Sequence, residues 1–201
     1  LRSASLGVWV RAGSVTEQPD EMGVSHLLEH MVFKGTRRRT ARELALVLER
    51  LGGSLDAYTT REHTSFQARV LDADVDIALD VLGDLVLSPL LRDEDLQLER
   101  EVVLEEIATV DDTPDDLGFD LHAEQMWGDH PYGYSILGTR DTVSALRAAD
   151  LRRVHEARYR PGNMVIAGAG NVEHAKFVDQ VVRAFERESL IGAAPSRNGH
   201  G

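Results

Sequence analysis

The sequence predicts an α+β domain: a mostly antiparallel sheet with helices packed on it. Three observations lead there. Apolar alternation at the strand period comes in hairpins, with a pair of stretches near 54–60 and 63–71 in which Phe66, Ala68 and Val70 alternate. Helical periodicity comes in runs rather than singly between strands. Of the 201 residues, 42% are hydrophobic, enough to fill a core and unlike a disordered acidic chain.

The elements follow in order. Leu6, Val8 and Val10 alternate with small or polar residues, as in a half-buried strand. Val24, Leu27, Leu28, Met31 and Val32 recur at helical spacing, which predicts a helix over about 20–34. Thr40 and Glu43 form a capping box. Leu44, Val47, Leu48 and Leu51 make the apolar face of that helix, and Gly52 and Gly53 stop it. After the hairpin, Leu71, Val75, Ala78, Leu79, Leu82, Leu85 and Val86 outline an amphipathic helix that Pro89 ends. A helix over about 93–110 comes next. Another starts at Thr113, as N-cap, with Pro114 at the first helical position. Asp141 and Asp150 read as caps of short helices. Residues 164–169 read as a strand, 173–187 as a last amphipathic helix, and 192–201 have linker composition. The expected organisation is one domain over 1–190 and a tail over 191–201 leading toward a second domain.

Composition excludes several classes. Asp and Glu number 34 against 22 Lys and Arg, a net charge of −12 that argues against a nucleic-acid binder. No apolar run approaches the roughly 18–20 residues of a membrane span. Cysteine is absent, which removes disulfides, thiolate metal sites and cysteine nucleophiles together. That absence fits a reducing compartment, so a cytoplasmic location is the expectation. The chain opens at Leu1, inside an alternating apolar stretch and without a signal-peptide pattern, so upstream sequence is expected.

The sharpest motif is His26-Leu27-Leu28-Glu29-His30. Two histidines four apart lie on one helix face, so both imidazoles can reach a single metal, and neutral imidazole suits Zn²⁺. Glu29 projects roughly 100° around the helix, where it can reach a water at the metal without displacing a ligand. The order is the inverse of the commoner zinc-peptidase motif. With 8 His in the chain, chance gives about 0.03 such motifs per chain. A second helix adds to it. Glu99 and Glu106 are two turns apart on one face, and a catalytic zinc wants three protein ligands and an open position. Glu106 can be the third ligand, and Glu99 can hold a histidine's second nitrogen. Glu101 and Glu105 share that helix, and spacing alone does not choose among the four.

At this point the sequence resembles the pitrilysin/insulinase family of metallopeptidases, in particular its mitochondrial-processing-peptidase-like bacterial branch. The residues that carry the resemblance are HLLEH, Glu106 within the segment 99–107, HMVFKGT at 30–36, LGGSLDAYTTREHT at 51–64, HPYGYSILGT at 130–139 and YRPGNMVIAGAG at 159–170. It covers roughly residues 3–188. It implies one zinc per chain on His26, His30 and Glu106, the catalytic carboxylate at Glu29, and a supporting carboxylate at Glu99. One departure is Asp56, where family members often carry Asn. The larger departure is length, since such proteins pair this unit with a similar metal-free one that closes a chamber. A second homologous domain or a homodimer is therefore the implied partner.

Two further regions are candidates for substrate. The stretch 55–60, with Ala57, Tyr58 and Thr59, resembles the family's edge strand, to which an extended peptide adds by main-chain hydrogen bonds. Asp116 and Asp120, four apart in an acidic run with Asp111, Asp112 and Asp115, fall where processing-peptidase relatives carry acids that receive arginine. A helix N-terminus that favours acids is the alternative. Arg37, Arg38 and Arg39 read as a solvated turn, Gly168-Ala169-Gly170 as a strand end, and Trp127 and Tyr132 as core or shell. His63, His122, His130, His155, His174 and His200 have no metal spacing with one another.

The reading is a zinc-dependent endopeptidase acting on extended, basic, unstructured peptides, with Glu29 taking a water proton and delivering it to the leaving amine. The alternative is a catalytically poor or structural half-unit that needs a second domain. Assembly-only relatives typically lose motif residues that all stand here. The S-ribosylhomocysteine lyases, which share HxxEH, need a cysteine that this chain lacks.

Overall fold

Residues 2–52 and 54–193 are described by the computed structural model. Four strands, β1 (Ser3–Val10), β2 (Ser54–Thr59), β3 (Thr64–Leu71) and β4 (Met164–Gly170), form one sheet in the order β2-β3-β1-β4, every pair antiparallel. In its middle, Val8 lies opposite Phe66 on one side and Ile166 on the other. The period of two puts Ala4, Leu6, Val8 and Val10 on one face with Phe66, Ala68 and Val70, all buried. The other face carries Ser5, Trp9, Gln67, Arg69 and Val165, half-buried or exposed.

The helices are α1 (Val24–Val32), α2 (Ala41–Arg50), α3 (Val75–Leu87), α4 (Asp93–Asp111), α5 (Pro114–Trp127), α6 (Arg140–Ala145), α7 (Ala148–Arg158) and α8 (His174–Ala193). Leu27, Leu28 and Met31 of α1 join the sheet's buried face, with Leu79 and Leu82 of α3, Leu96 and Val103 of α4, and Leu151 of α7. The α+β reading holds. Among the described residues no helix is long and apolar enough to cross a membrane.

Several elements differ from expectation. The helix expected over 20–34 is split into a 3-10 turn at Pro19–Glu21 and α1. The break is Gly23, at φ 90°, where a Cβ would lie 2.5 Å from the Leu137 carbonyl oxygen; glycine alone fits that conformation and that approach. The capping box on α2 is present as read. Thr113 precedes α5, but its hydroxyl donates to the Thr109 carbonyl (2.7 Å) rather than accepting from its own helix. Asp141 and Asp150 are not N-caps. Thr139 and Arg147 are, and the two acids lie in the first turn, where Asp150 accepts the Arg147 backbone N–H at 3.0 Å. The arginine turn is solvated only at Arg37, which is exposed. Arg38 pairs with Asp80 (2.8 Å), and Arg39 binds Asp80 and Asp84 (2.5 Å). Asp84 is fully buried in α3, and a buried carboxylate needs a cation. Trp127 is largely exposed rather than core, ringed by His130 and Tyr132. Of the linker-like stretch, Gly192 and Ala193 belong to α8, and 194–201 lie outside the described residues.

Sequence reading missed Glu17. It is 4% exposed and accepts the N–H groups of Gly23 and Ser25, at 2.9 Å each. These donors have no partner inside α1. Burial pushes the carboxyl above its ordinary value of 4.5, and the bonds from Ser25 and Gly23 pull it partly back. A carboxyl raised on folding contributes stability that is full below the unfolded value and is lost as pH rises through the folded one. Glu17→Gln cannot titrate. The stability of the native protein relative to Glu17→Gln should therefore fall as pH is raised above the ordinary carboxyl value of 4.5 in urea unfolding. A difference that stays constant as pH is raised would show that Glu17 does not titrate with folding.

Candidate metal centre

Helix α1 buries Val24, Ser25, Leu27, Leu28, Met31 and Val32. That leaves His26, Glu29 and His30 on the flank that meets α4 and β2. Helix α4 buries Leu96, Glu99, Val103 and Ile107. It is tied in place by Arg100, which donates to the carbonyls of Val143 (3.2 Å) and Leu146 (2.6 Å) at the end of α6. The histidine rings lie 4.7 Å apart, edge to face.

The crossing sets Glu106 Oε2 at 3.6 Å from Nε2 of His26 and 3.6 Å from Nε2 of His30. These separations are too long for hydrogen bonds. The Glu106 side chain is 41% exposed, yet Oε2 itself is buried with no hydrogen-bond partner, as is His26 Nδ1. An orphaned carboxylate oxygen aimed between two imidazole nitrogens is costly unless a cation lies among them. Tetrahedral bonds of about 2.1 Å place ligand atoms about 3.4 Å apart, close to what is found. The donor set, two imidazoles and a carboxylate, is one zinc accepts. Among the described residues this is the one triplet of His, Asp and Glu atoms that close together, within 4.8 Å. Geometry thus sorts the four candidate glutamates on α4: Glu106 joins the histidines, Glu99 lies behind them, and Glu101 and Glu105 are exposed.

Glu99 Oε2 meets His30 Nδ1 at 3.2 Å, and its Oε1 meets Lys34 Nζ at 2.6 Å. Burial, then the neighbouring His30, hold His26 down at about 4, so its ring is neutral and its lone pair free at neutral pH. Burial pushes the Glu29 carboxyl above its ordinary value, against a hydrogen bond from Thr59 Oγ1 to Oε2 (2.5 Å). A carboxyl raised toward neutrality is a better proton acceptor.

Strand β2 is at the edge of the sheet, with β3 as its one partner strand. A groove of about 470 Å³ runs past the free side, and His26, Glu29, Ala57, Tyr58, Thr59, Asp116 and Asp120 all border it. The sites named from sequence therefore meet in one place. Phe119, 76% exposed, also lines this groove and was not singled out. Asp116 lies in the first turn of α5, where the helix dipole favours an acid. Asp120 lies beyond that turn, and it faces Arg61 at 3.9 Å. Lys34 and Thr59 act on the two carboxylates through long-range contacts, and nothing local in the sequence signals those pairings.

Comparison with known proteins gives a consistent family. Residues 2–140 match the insulinase family, peptidase family M16, and residues 145–191 match the peptidase M16 inactive domain. An uncharacterized zinc protease of Streptomyces coelicolor is 44% identical over 191 residues, 95% of this chain and 42% of that protein. A probable mitochondrial-processing peptidase subunit beta of Arabidopsis thaliana is 41% identical over 94% of this chain and 35% of its own length. The crystal structure of a protease from Helicobacter pylori superposes with a TM-score of 0.89 at 26% identity, covering 92% of this chain and 45% of that one. The chain spans less than half the length of these relatives.

Removing one of three converging donors should weaken zinc by more than the roughly 10–100-fold that loss of an outer hydrogen-bond partner costs. Glu106→Ala is expected to do so in a competition titration with a chromophoric chelator. Zinc affinity unchanged in that variant would show that Glu106 is not a ligand.

Proposed function

Since the chain belongs to the insulinase family, peptidase family M16, we propose that it is the metal-bearing unit of a zinc endopeptidase, with one zinc per chain held by His26, His30 and Glu106. The observation that carries this reading is the buried, unpartnered Glu106 Oε2 facing two imidazole nitrogens. Relatives named zinc proteases support it.

When bound, zinc supplies Lewis acidity, which lowers the pKa of water and polarises a carbonyl. The chain's own residues do the rest. Thr59 holds Glu29 through Oε2, and the Glu29 carboxylate takes a proton from the attacking water and returns it to the leaving amine. The free edge of β2 offers backbone N–H and C=O groups to an extended peptide, which places its scissile bond beside Glu29 and the metal. Asp116 and Asp120 on the opposite wall favour basic side chains, as does the net charge of −12.

A second reading concerns completeness. The groove lies open along β2, and the relatives are more than twice this length. A second homologous unit, in the same polypeptide or as a partner chain, would cover the groove, exclude water and strengthen the electrostatics at the metal.

Two substitutions test the reading. Glu29→Gln keeps size and some hydrogen bonding but cannot take a proton. It should retain zinc and fold while losing peptide hydrolysis by at least about 100-fold. Full activity in a zinc-replete sample would remove Glu29 from the mechanism. Replacing Asp116 and Asp120 together by Asn should slow cleavage of arginine-containing peptides more than neutral ones, and the gap should shrink with added salt. Equal losses on both substrates would assign these acids to helix stability instead.

A further inference from the structure

We propose that Lys34 is a positioning residue for the metal centre: by holding Glu99, it fixes the ring orientation and tautomer with which His30 meets the metal. The inference rests on the zinc reading above and adds to it a residue remote from the metal.

The contacts form a line. His30 Nε2 faces Glu106 Oε2, and His30 Nδ1 faces Glu99 Oε2 at 3.2 Å. Glu99 Oε1, the other oxygen of the same carboxylate, meets Lys34 Nζ at 2.6 Å. Both Glu99 oxygens are thus spoken for, one by the imidazole and one by the ammonium. A carboxylate anchored at one oxygen can turn about its terminal torsion, which is broad. Anchored at both, it presents a fixed acceptor. That acceptor requires the proton of His30 on Nδ1, which leaves the Nε2 lone pair for the metal.

Lys34 is itself fixed. Its carbonyl oxygen accepts from Arg92 Nη2 at 3.2 Å, at the start of the helix that bears Glu99. Its backbone N–H donates to the Met31 carbonyl at 3.1 Å, one turn back in the helix that bears His30. The ammonium is therefore carried by a segment bonded to both metal-bearing helices. The Lys34 side chain is 36% exposed, but that of Glu99 is only 9% exposed. An exposed ion pair contributes little. Here one partner is buried, and losing the cation leaves its charge uncompensated.

Removing an outer partner of a metal ligand costs roughly 10–100-fold in affinity. Lys34 acts one step further out, so Lys34→Met should weaken zinc by about tenfold, near the low end of that range. The experiment measures zinc dissociation constants by chelator competition for the native chain, Lys34→Met, Lys34→Arg, Glu99→Gln and the Lys34→Met, Glu99→Gln pair. Melting of the metal-free forms checks the fold, with Lys34→Gln as the substitute if Lys34→Met does not fold. Lys34→Arg should restore most of the affinity, because a cation still reaches Oε1. In the Glu99→Gln background, Lys34→Met should cost nothing further. In parallel, nitrogen-15 shifts of the metal-free protein should show the His30 proton on Nδ1 in the native chain and a tautomer mixture in Lys34→Met. Unchanged affinity in Lys34→Met, or the same tenfold loss with and without Glu99, would overturn the inference while leaving the zinc site standing. A native chain that binds no zinc would overturn the zinc reading and this inference with it.

Discussion

The crossing of α1 over α4 is the contact on which the rest depends. It brings His26 and His30, one turn apart on one helix, against Glu106 on the other. No loop adjustment could do this, because both helices are rigid and a metal site tolerates displacements of only about 0.5 Å. The crossing is secured at several points by different physics. Leu27, Leu28 and Met31 meet Val103 and Ile107 in the apolar core. Glu17 holds the first turn of α1, Arg92 joins the end of the α1 segment to the start of α4, and Arg100 pins α4 to α6. Each polar tie grips an element whose apolar face is already buried. The core supplies the energy and the ties supply the register.

What was legible in the sequence was what is local. The HLLEH face, the capping box of Thr40 and Glu43, and the alternation in β1 and β3 are patterns within a few residues, and the structure repeats them. What was not legible was long-range pairing of charges. Arg39 and Asp84 are 45 residues apart, and nothing near either announces the other. An arginine run between two helices then reads as solvent-facing when it is the counter-charge of a buried acid. Lys34 was missed for the same reason, its partner Glu99 lying far along the chain, while Glu17 was missed because its backbone bonds to Gly23 and Ser25 leave no sequence pattern. The four candidate glutamates on α4 were indistinguishable by spacing, and the angle at which α4 meets α1 separates them. Trp127, read as core or shell, stands outside the core. Large aromatic rings are usually interior, and this one lies outside on a helix with no buried residue.

The edge of the sheet is where structure and chemistry meet. An unpaired strand is a hazard, since its free backbone groups can pair with any other strand. On β2 the outward positions are Ser54, Asp56 and Tyr58, and a charged residue there discourages indiscriminate pairing. The inward positions Leu55 and Ala57 keep the strand against the core. Thr59 donates to Glu29. One strand therefore carries both the surface on which a peptide can pair and the hydroxyl that orients the carboxylate beside it. In the proposed reading, a peptide seated on β2 and the carboxylate that would act on it are placed by the same backbone.

The charges of the centre close the argument. With Glu29 ionised, Glu29, Glu99 and Glu106 bring three negative charges to one region, and Lys34 brings one positive charge. His26 adds none, because burial holds its ring neutral. Two negative charges remain, in surroundings that penalise uncompensated charge. A single dication between Glu106 and the two imidazoles would cancel them. A monovalent ion would leave one over, and a second cationic side chain at Glu106 would fill the space that the orphaned oxygen faces. Lys34 cannot replace the metal, since it lies behind Glu99. In the zinc reading, Lys34 and the metal would neutralise different parts of one acidic site.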